Sequence, residues 1–248
     1  MFFYVKDFFR RYWPKIQKWS KICLLIFFCW SIFFVGLYRF VRPVFTPLQI
    51  IRSIQKLAHL ESPLWTRTWV SIDDISPYAV YAVIAGEDNK FVNHFGFDVQ
   101  ALQNAIEYNL SHKWSTVGWS TISQQTAKNV FLWPGRDIIR KWFEAYFTLL
   151  IESLWSKERI MEVYLNVIEF GDGIYGIEEA SHYYFNTSAK KLTSYQASLL
   201  AAILPNPRYY QEHLHTYLLQ KRKNAISSVI SRVMGNKETR VFVKSLKE

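Results

Sequence analysis

The sequence predicts a mainly α protein with one N-terminal transmembrane helix. Two observations carry that reading. An uncharged run from Ile22 to Tyr38 is bracketed by Lys21 and Arg39, and helix-period apolar patterns recur along the rest of the chain without alternating strand pairs of any length. Half of the 248 residues are hydrophobic and 18% are aromatic, against nine glycines and eight prolines, which excludes disorder and supplies one sizeable core.

Residues 1–21 carry Lys6, Arg10, Arg11, Lys15, Lys18 and Lys21 against Asp7, mixed with aromatics such as Trp13 and Trp19. This reads as a cytoplasmic interfacial segment on the inner leaflet. Residues 22–41 form the span: the 17 uncharged residues rise about 25 Å, and Phe40, Val41 and snorkelling flanks close the gap to a hydrocarbon core. The positive-inside rule places residues 43 onward outside. Both cysteines, Cys23 and Cys29, fall in the span, so neither disulfides nor thiolate metal sites serve the outer domain.

Residues 42–69 read as a membrane-proximal linker, with a short helical approach from Arg52 to Leu60 broken at Ser62-Pro63, and 69–72 as a short extended piece. Ser76-Pro77 opens a helix over 78–85 that Gly86 ends. Helical patterns follow at 98–110, 121–131, 137–155, 157–169, 175–184, 193–203 and 214–234. Thr121-Ile-Ser-Gln124 and Thr193-Ser-Tyr-Gln196 fit the capping box, Ser156 caps the helix after it, and Pro205 and Pro207 stop the helix that ends at Leu204. Residues 70–212 are thus the catalytic-sized domain and 213–248 a basic helical tail.

The net charge of +10 suggests nucleic acid until it is divided along the chain. Residues 1–42 hold eight basic and one acidic residue, 43–212 fourteen and seventeen, and 213–248 eight and two. The folded middle is slightly acidic, so no nucleic-acid partner is expected. The cations at both ends read as a membrane address.

Three stretches hold groups suited to chemistry. Glu87, just past the helix that ends at Gly86, lies beside Phe91, Phe95 and Phe97, whose desolvation raises a carboxylate toward base duty. From spacing alone, a solvated helix-end acid is the commoner outcome. A helix opening near Thr121 aims free N–H groups at whatever precedes it, a seat for phosphate, with Gln124 and Lys128 on one face; taken alone, an ordinary capped helix explains it better. Glu144 stands in a helix with hardly any polar face, so it needs a partner or a purpose; Arg140, four residues earlier, offers a salt bridge, and catalysis is the other reading. Gly171-Asp-Gly173-Ile-Tyr-Gly176 matches GxGxxG but follows a helix rather than a strand of a βαβ unit, and reads as a turn. The six histidines form no HExxH or comparable pair.

In order and spacing, five blocks resemble the peptidoglycan glycosyltransferases of family 51: GEDNKFVNHFGFD at 86–98, GWSTISQQTAKNVFLW at 118–133, RKWFEAYFTLLIE at 140–152, SKERIMEVYLNVIEFGDGIYGIEEAS at 156–181 and ASLLAAILPNP at 197–207. The chain ends soon after the last block, without a penicillin-binding transpeptidase domain, so it looks like the monofunctional biosynthetic branch. The resemblance implies a lysozyme-like fold of two lobes, the smaller dipping into the bilayer of the bacterial inner membrane. It implies transfer of an undecaprenyl-pyrophosphate-linked glycan to the GlcNAc 4-hydroxyl of lipid II, inverting an α-linked donor to a β-1,4 bond. By the same pattern Glu87 is the general base, and Glu144 assists near the donor phosphates by protonating them or orienting a cation or water. Lys128, Arg136 and Arg140 hold the pyrophosphate, Ser120, Thr121, Gln124 and Gln125 shape its seat, and Asp88, Phe91, His94 and Asn166 support. Trp119 and Gln196 depart from the usual pattern.

Expected partners are lipid II, the growing lipid-linked glycan, membrane lipids, and other wall-synthesis or division proteins. No organic cofactor is expected; chemistry allows a divalent cation, magnesium or manganese, bridging Glu144 or Asp88 to pyrophosphate. Two other readings compete: a lysozyme-type hydrolase or lytic transglycosylase, which shares the two-carboxylate chemistry, and a catalytically silent scaffold. Phosphate-holding cations argue against the first, and retention of both acids against the second.

Overall fold

A computed structural model describes residues 2–60, 62, 65–111, 118, 120–135 and 137–247, with backbone alone for 2–11. Two units divide at Arg42. The first is one helix, α1 (Phe2–Tyr38), of which Tyr12–Tyr38 is long and apolar enough to cross a membrane. The expected interfacial segment and span are therefore one continuous helix, which passes through Pro14 and stops three residues short of Val41.

The second unit, residues 43–248, is mainly α, as the patterns required. It begins with α2 (Pro47–Ala58), whose start is set by a capping box between Thr46 and Gln49. A 3-10 turn at Ile72–Asp74 leads to α3 (Pro77–Glu87), then a second at Phe91–Asn93 to α4 (Val99–Ser111). Next come α5 (Ile122–Phe131), α6 (Ile138–Leu154) and α7 (Lys157–Val167), each opened by the oxygen of Thr121, Asp137 or Ser156 accepting a backbone N–H. The GxGxxG stretch is the turn of a small antiparallel hairpin, β1 (Glu169–Gly171) and β2 (Ile174–Tyr175), pairing Glu169 with Tyr175 and Gly171 with Ile174. Five helices finish the unit: α8 (Ile177–Phe185), α9 (Ser194–Ile203), α10 (Pro207–Glu212), α11 (Tyr217–Gly235) and α12 (Lys237–Ser245).

The core forms where α3 packs on α9 and α11, and α5 on α6 and α7. Residues 79–85 of α3 are all buried, because the helix is apolar all round and has neighbours on several sides. A side chain such as Ile84, fully buried, contributes about 1.5–3 kcal/mol.

Residues 43–69 and 213–248 belong to the same unit as the stretch between them. Leu219, Ile226, Ile230 and Val233 give α11 a buried apolar stripe, so this basic stretch includes a core helix, with Lys223 buried beside the stripe and Arg222 turned inward to Glu87. Pro205 and Pro207 end α9 but open the short α10, Pro207 standing in its first turn where its missing N–H costs nothing.

Candidate active site

Gly86 does not end α3. The helix continues one residue, so Glu87 is its last position and Asp88 its cap. The two neighbouring acids face different partners. Glu87 Oε2 accepts from Gln125 Nε2 at 2.8 Å and Oε1 from Arg222 at 2.8 Å, with the side chain 12% exposed. Burial pushes the Glu87 carboxyl above its ordinary 4.5; the Gln125 hydrogen bond and the charges of Arg222 and Lys128 offset part of this. Gln125 is itself held: its Oε1 accepts from Tyr164 at 3.3 Å and its amide donates to Ser120 O at 3.3 Å. Burial raises the Tyr164 phenol well above its normal value, so it stays a donor.

Asp88 turns to α5. Its Oδ2 accepts the Ile122 N–H at 3.0 Å, and both oxygens lie within 3.0 Å of His94 Nε2. Thr121 and Gln124 cap each other reciprocally, and the Thr121 hydroxyl donates to Gly96 O at 2.7 Å. Gly96 is required there: its φ is +79°, and a Cβ would meet Thr148 at 2.7 Å. The expected phosphate seat at the α5 N-terminus is thus filled by the protein's own oxygens. An Asp carboxylate satisfies the helix end that the sequence left open for an anion.

A cation without a hydrogen bond or ion pair among the described residues, Lys128, stands further along α5. Burial lowers its amine below the ordinary 10.5 while Glu144 and Glu87 pull it back up. It opens into a cavity of about 230 Å³ shared with Arg52, Gln125, Asn129 and Trp133. Glu87 opens into a second cavity of about 280 Å³, shared with Asn104, Ser120 and Thr121. Gln125 touches both the carboxylate and the Lys128 cavity.

Glu144 is buried, and both of its oxygens are occupied: Oε2 accepts from Arg140 at 2.7 Å and Oε1 from Lys141. Lys141 also donates to Ser120 Oγ at 3.2 Å. Sequence reading found the Arg140 bridge but missed Lys141, although its i,i+3 spacing to Glu144 was visible. It also missed Arg222, whose pair with Glu87 spans 135 residues and leaves no local signal.

Three expected residues stand elsewhere. Asn166 clamps the entering chain, exchanging hydrogen bonds of 2.9 Å with both the N–H and the carbonyl of Val70. Phe91 is a core ring against Phe242, with the Lys157 amine over its face. His94 serves Asp88. Arg136 and Trp119 lie outside the described residues.

Both oxygens of Glu144 meet cations, Asp88 accepts from the Ile122 N–H and meets His94, and among the described residues no three His, Cys, Asp or Glu side chains gather.

Comparison with known proteins gives the family. Residues 55–231 match the family described as transglycosylase. The chain belongs to the transglycosylase family. The transglycosylase is 50% identical over 221 residues to a biosynthetic peptidoglycan transglycosylase of Bdellovibrio bacteriovorus, covering 89% of this chain and 88% of that one. It is 52% identical over 213 residues to one from Bacteroides thetaiotaomicron, covering 86% of each, and 43% identical over 228 residues to one from Haemophilus influenzae, covering 91% and 89%. The transglycosylase thus presents, in one helical core, a desolvated carboxylate, a glutamine bonded to it, and a lysine that lines the same cavity as that glutamine.

Proposed function

We propose that this protein is a peptidoglycan glycosyltransferase that polymerises lipid II into β-1,4-linked glycan strands. The observation that carries the reading is the pairing of Glu87, a largely buried carboxylate at a cavity mouth, with Lys128, a largely buried cation that no carboxylate among the described residues neutralises by contact. A desolvated carboxylate takes a proton from an attacking hydroxyl; a desolvated cation takes the charge of a departing phosphate. A lysozyme-type hydrolase has no phosphate to hold, and a silent scaffold has no use for an unpaired buried lysine.

In the proposed step, the 4-hydroxyl of the acceptor GlcNAc enters the cavity at Glu87. Glu87 removes its proton as the oxygen attacks the anomeric carbon of the donor from the face opposite the undecaprenyl pyrophosphate, so the α link becomes β. Lys128 neutralises the charge gathering on the leaving pyrophosphate, assisted by Arg140 and by Arg136. Glu144, with cations on both oxygens, orients Arg140 and Lys141 rather than giving up a proton. Ser120 and Gln125 hold that array in place through Lys141 and Glu87. α1 anchors the enzyme in the inner membrane in a single pass, its basic N-terminal stretch cytoplasmic and its catalytic unit outside, where lipid-linked substrate is presented.

The test is polymerisation of lipid II by the full chain in detergent. Wild type lengthens chains; Glu87→Gln loses about 100- to 10,000-fold of turnover with unchanged helical content. Undiminished chain growth by that variant removes Glu87 as the base, and cleavage of finished glycan in place of polymerisation restores the hydrolase reading.

A further inference from the structure

We propose that Arg222, on α11, is the positioning residue for Glu87: it keeps the carboxylate ionised and aimed at its cavity while the acceptor hydroxyl binds. The inference rests on the reading of Glu87 as the base.

Glu87 is placed badly for an anion in two respects. It is largely buried, and as the last residue of α3 it stands at the helix end where the carbonyl groups concentrate partial negative charge. Both effects favour the protonated form, which cannot act as a base. One arginine answers both. The same Arg222 nitrogen donates to the Gly86 carbonyl at 3.1 Å and to Glu87 Oε1 at 2.8 Å, so it caps the helix end and pairs with the acid. Gln125 takes the other oxygen from α5, which fixes the plane of the carboxylate between two elements.

The approach of α11 is built for this contact. A Cβ on Gly86 would meet Ile226 Cδ1 at 3.0 Å, and Ile226 lies one helical turn beyond Arg222. With no side chain at Gly86, buried Ile226 seats against α3 and brings Arg222 over the carboxylate. Lys221 and Lys223, on either side, point to other partners, Tyr217 and Tyr195. The groups that face Glu87 are therefore Arg222 from α11, Lys128 and Gln125 from α5, and the Tyr164 phenol from α7; neighbouring Asp88 is turned to Ile122 and His94. Of the two cations, Arg222 is the one in hydrogen-bonded contact.

The experiment compares the pH dependence of kcat/KM for lipid II polymerisation by wild type, Arg222→Met, Arg222→Lys and Glu87→Gln, as full chains in detergent, with thermal unfolding measured alongside. Removing an opposite charge at this distance raises a carboxylate by about one unit or more, so the acid limb of Arg222→Met moves up by about that much and activity below the limb falls about tenfold per unit. Arg222→Lys, which keeps the charge, restores most of the limb. An Arg222→Met protein whose activity drops equally at every pH, or not at all, overturns the proposal. Loss of stability alone does the same, since it leaves the limb in place. Failure of the base assignment itself shows separately, as an active Glu87→Gln.

Discussion

The carboxylate of Asp88 accepts the backbone N–H of Ile122 at 3.0 Å, and so an acid next to Glu87 in sequence closes the N-terminus of the helix that carries Gln125 and Lys128. The contact ties the two halves of the site together: α3 supplies Glu87, α5 supplies its partners, and Asp88 fixes one to the other. A hydrogen bond to a charged group in a buried position is worth about 1.5–3 kcal/mol. Asp88→Ala should lower stability by that amount, seen in thermal unfolding of the detergent-solubilised protein, and reduce polymerisation through displacement of α5. Unchanged stability would show that the helix end finds another cap.

Lys128 should behave in the opposite sense. A buried amine without a carboxylate in contact destabilises the fold as long as it is charged, because it binds its proton less tightly folded than unfolded. That cost is present below its lowered pKa and is relieved as pH rises toward 10.5. Lys128→Met is therefore expected to be as stable as wild type or more so at neutral pH, while the apparent KM for lipid-linked donor rises about 10-fold or more. A stable variant with unaltered donor affinity would remove Lys128 from the pyrophosphate site.

How much of this was legible depended on the range of the interaction. Capping at Thr121, Ser156 and Thr193 was readable because the signal spans three residues, and so was the Arg140–Glu144 bridge, one helical turn apart. The α3 boundary was placed two residues early, since Gly86 serves the packing of Ile226 rather than the helix stop that glycine usually signals. The capped start of α5 was readable from Thr121 and Gln124, but its further partner, Asp88, was not, because it comes from 34 residues upstream. Arg222 was assigned to a membrane-facing tail on charge alone; the apolar stripe Leu219, Ile226, Ile230 and Val233 was present in the sequence, but which surface it covers is decided only by the tertiary fold.

Asn166 separates a structural from a catalytic role. Its amide satisfies both backbone groups of Val70, a two-sided clamp on the chain entering the domain. Asn166→Ala leaves two part-buried backbone groups without their side-chain partner, an expected loss of about 1–2 kcal/mol. At a temperature where the variant is still folded, kcat/KM for lipid II should match wild type. A selective loss of activity without a shift in Tm would return Asn166 to the site.

The pH profile joins these groups in one measurement. For the free enzyme kcat/KM needs Glu87 ionised and Lys128 protonated. Burial moves the first up from 4.5 and the second down from 10.5, so the bell should be narrower than the ordinary Glu and Lys values allow on both sides. Tyr164 contributes no alkaline limb of its own, because its phenol is raised well above 10.0 and keeps its proton through the range. The alkaline limb is assigned by Lys128→Arg, which holds its charge and should remove that limb while leaving the acid one. An acid limb at or below 4.5 would contradict the desolvation of Glu87, and an alkaline limb that persists in Lys128→Arg would belong to another group.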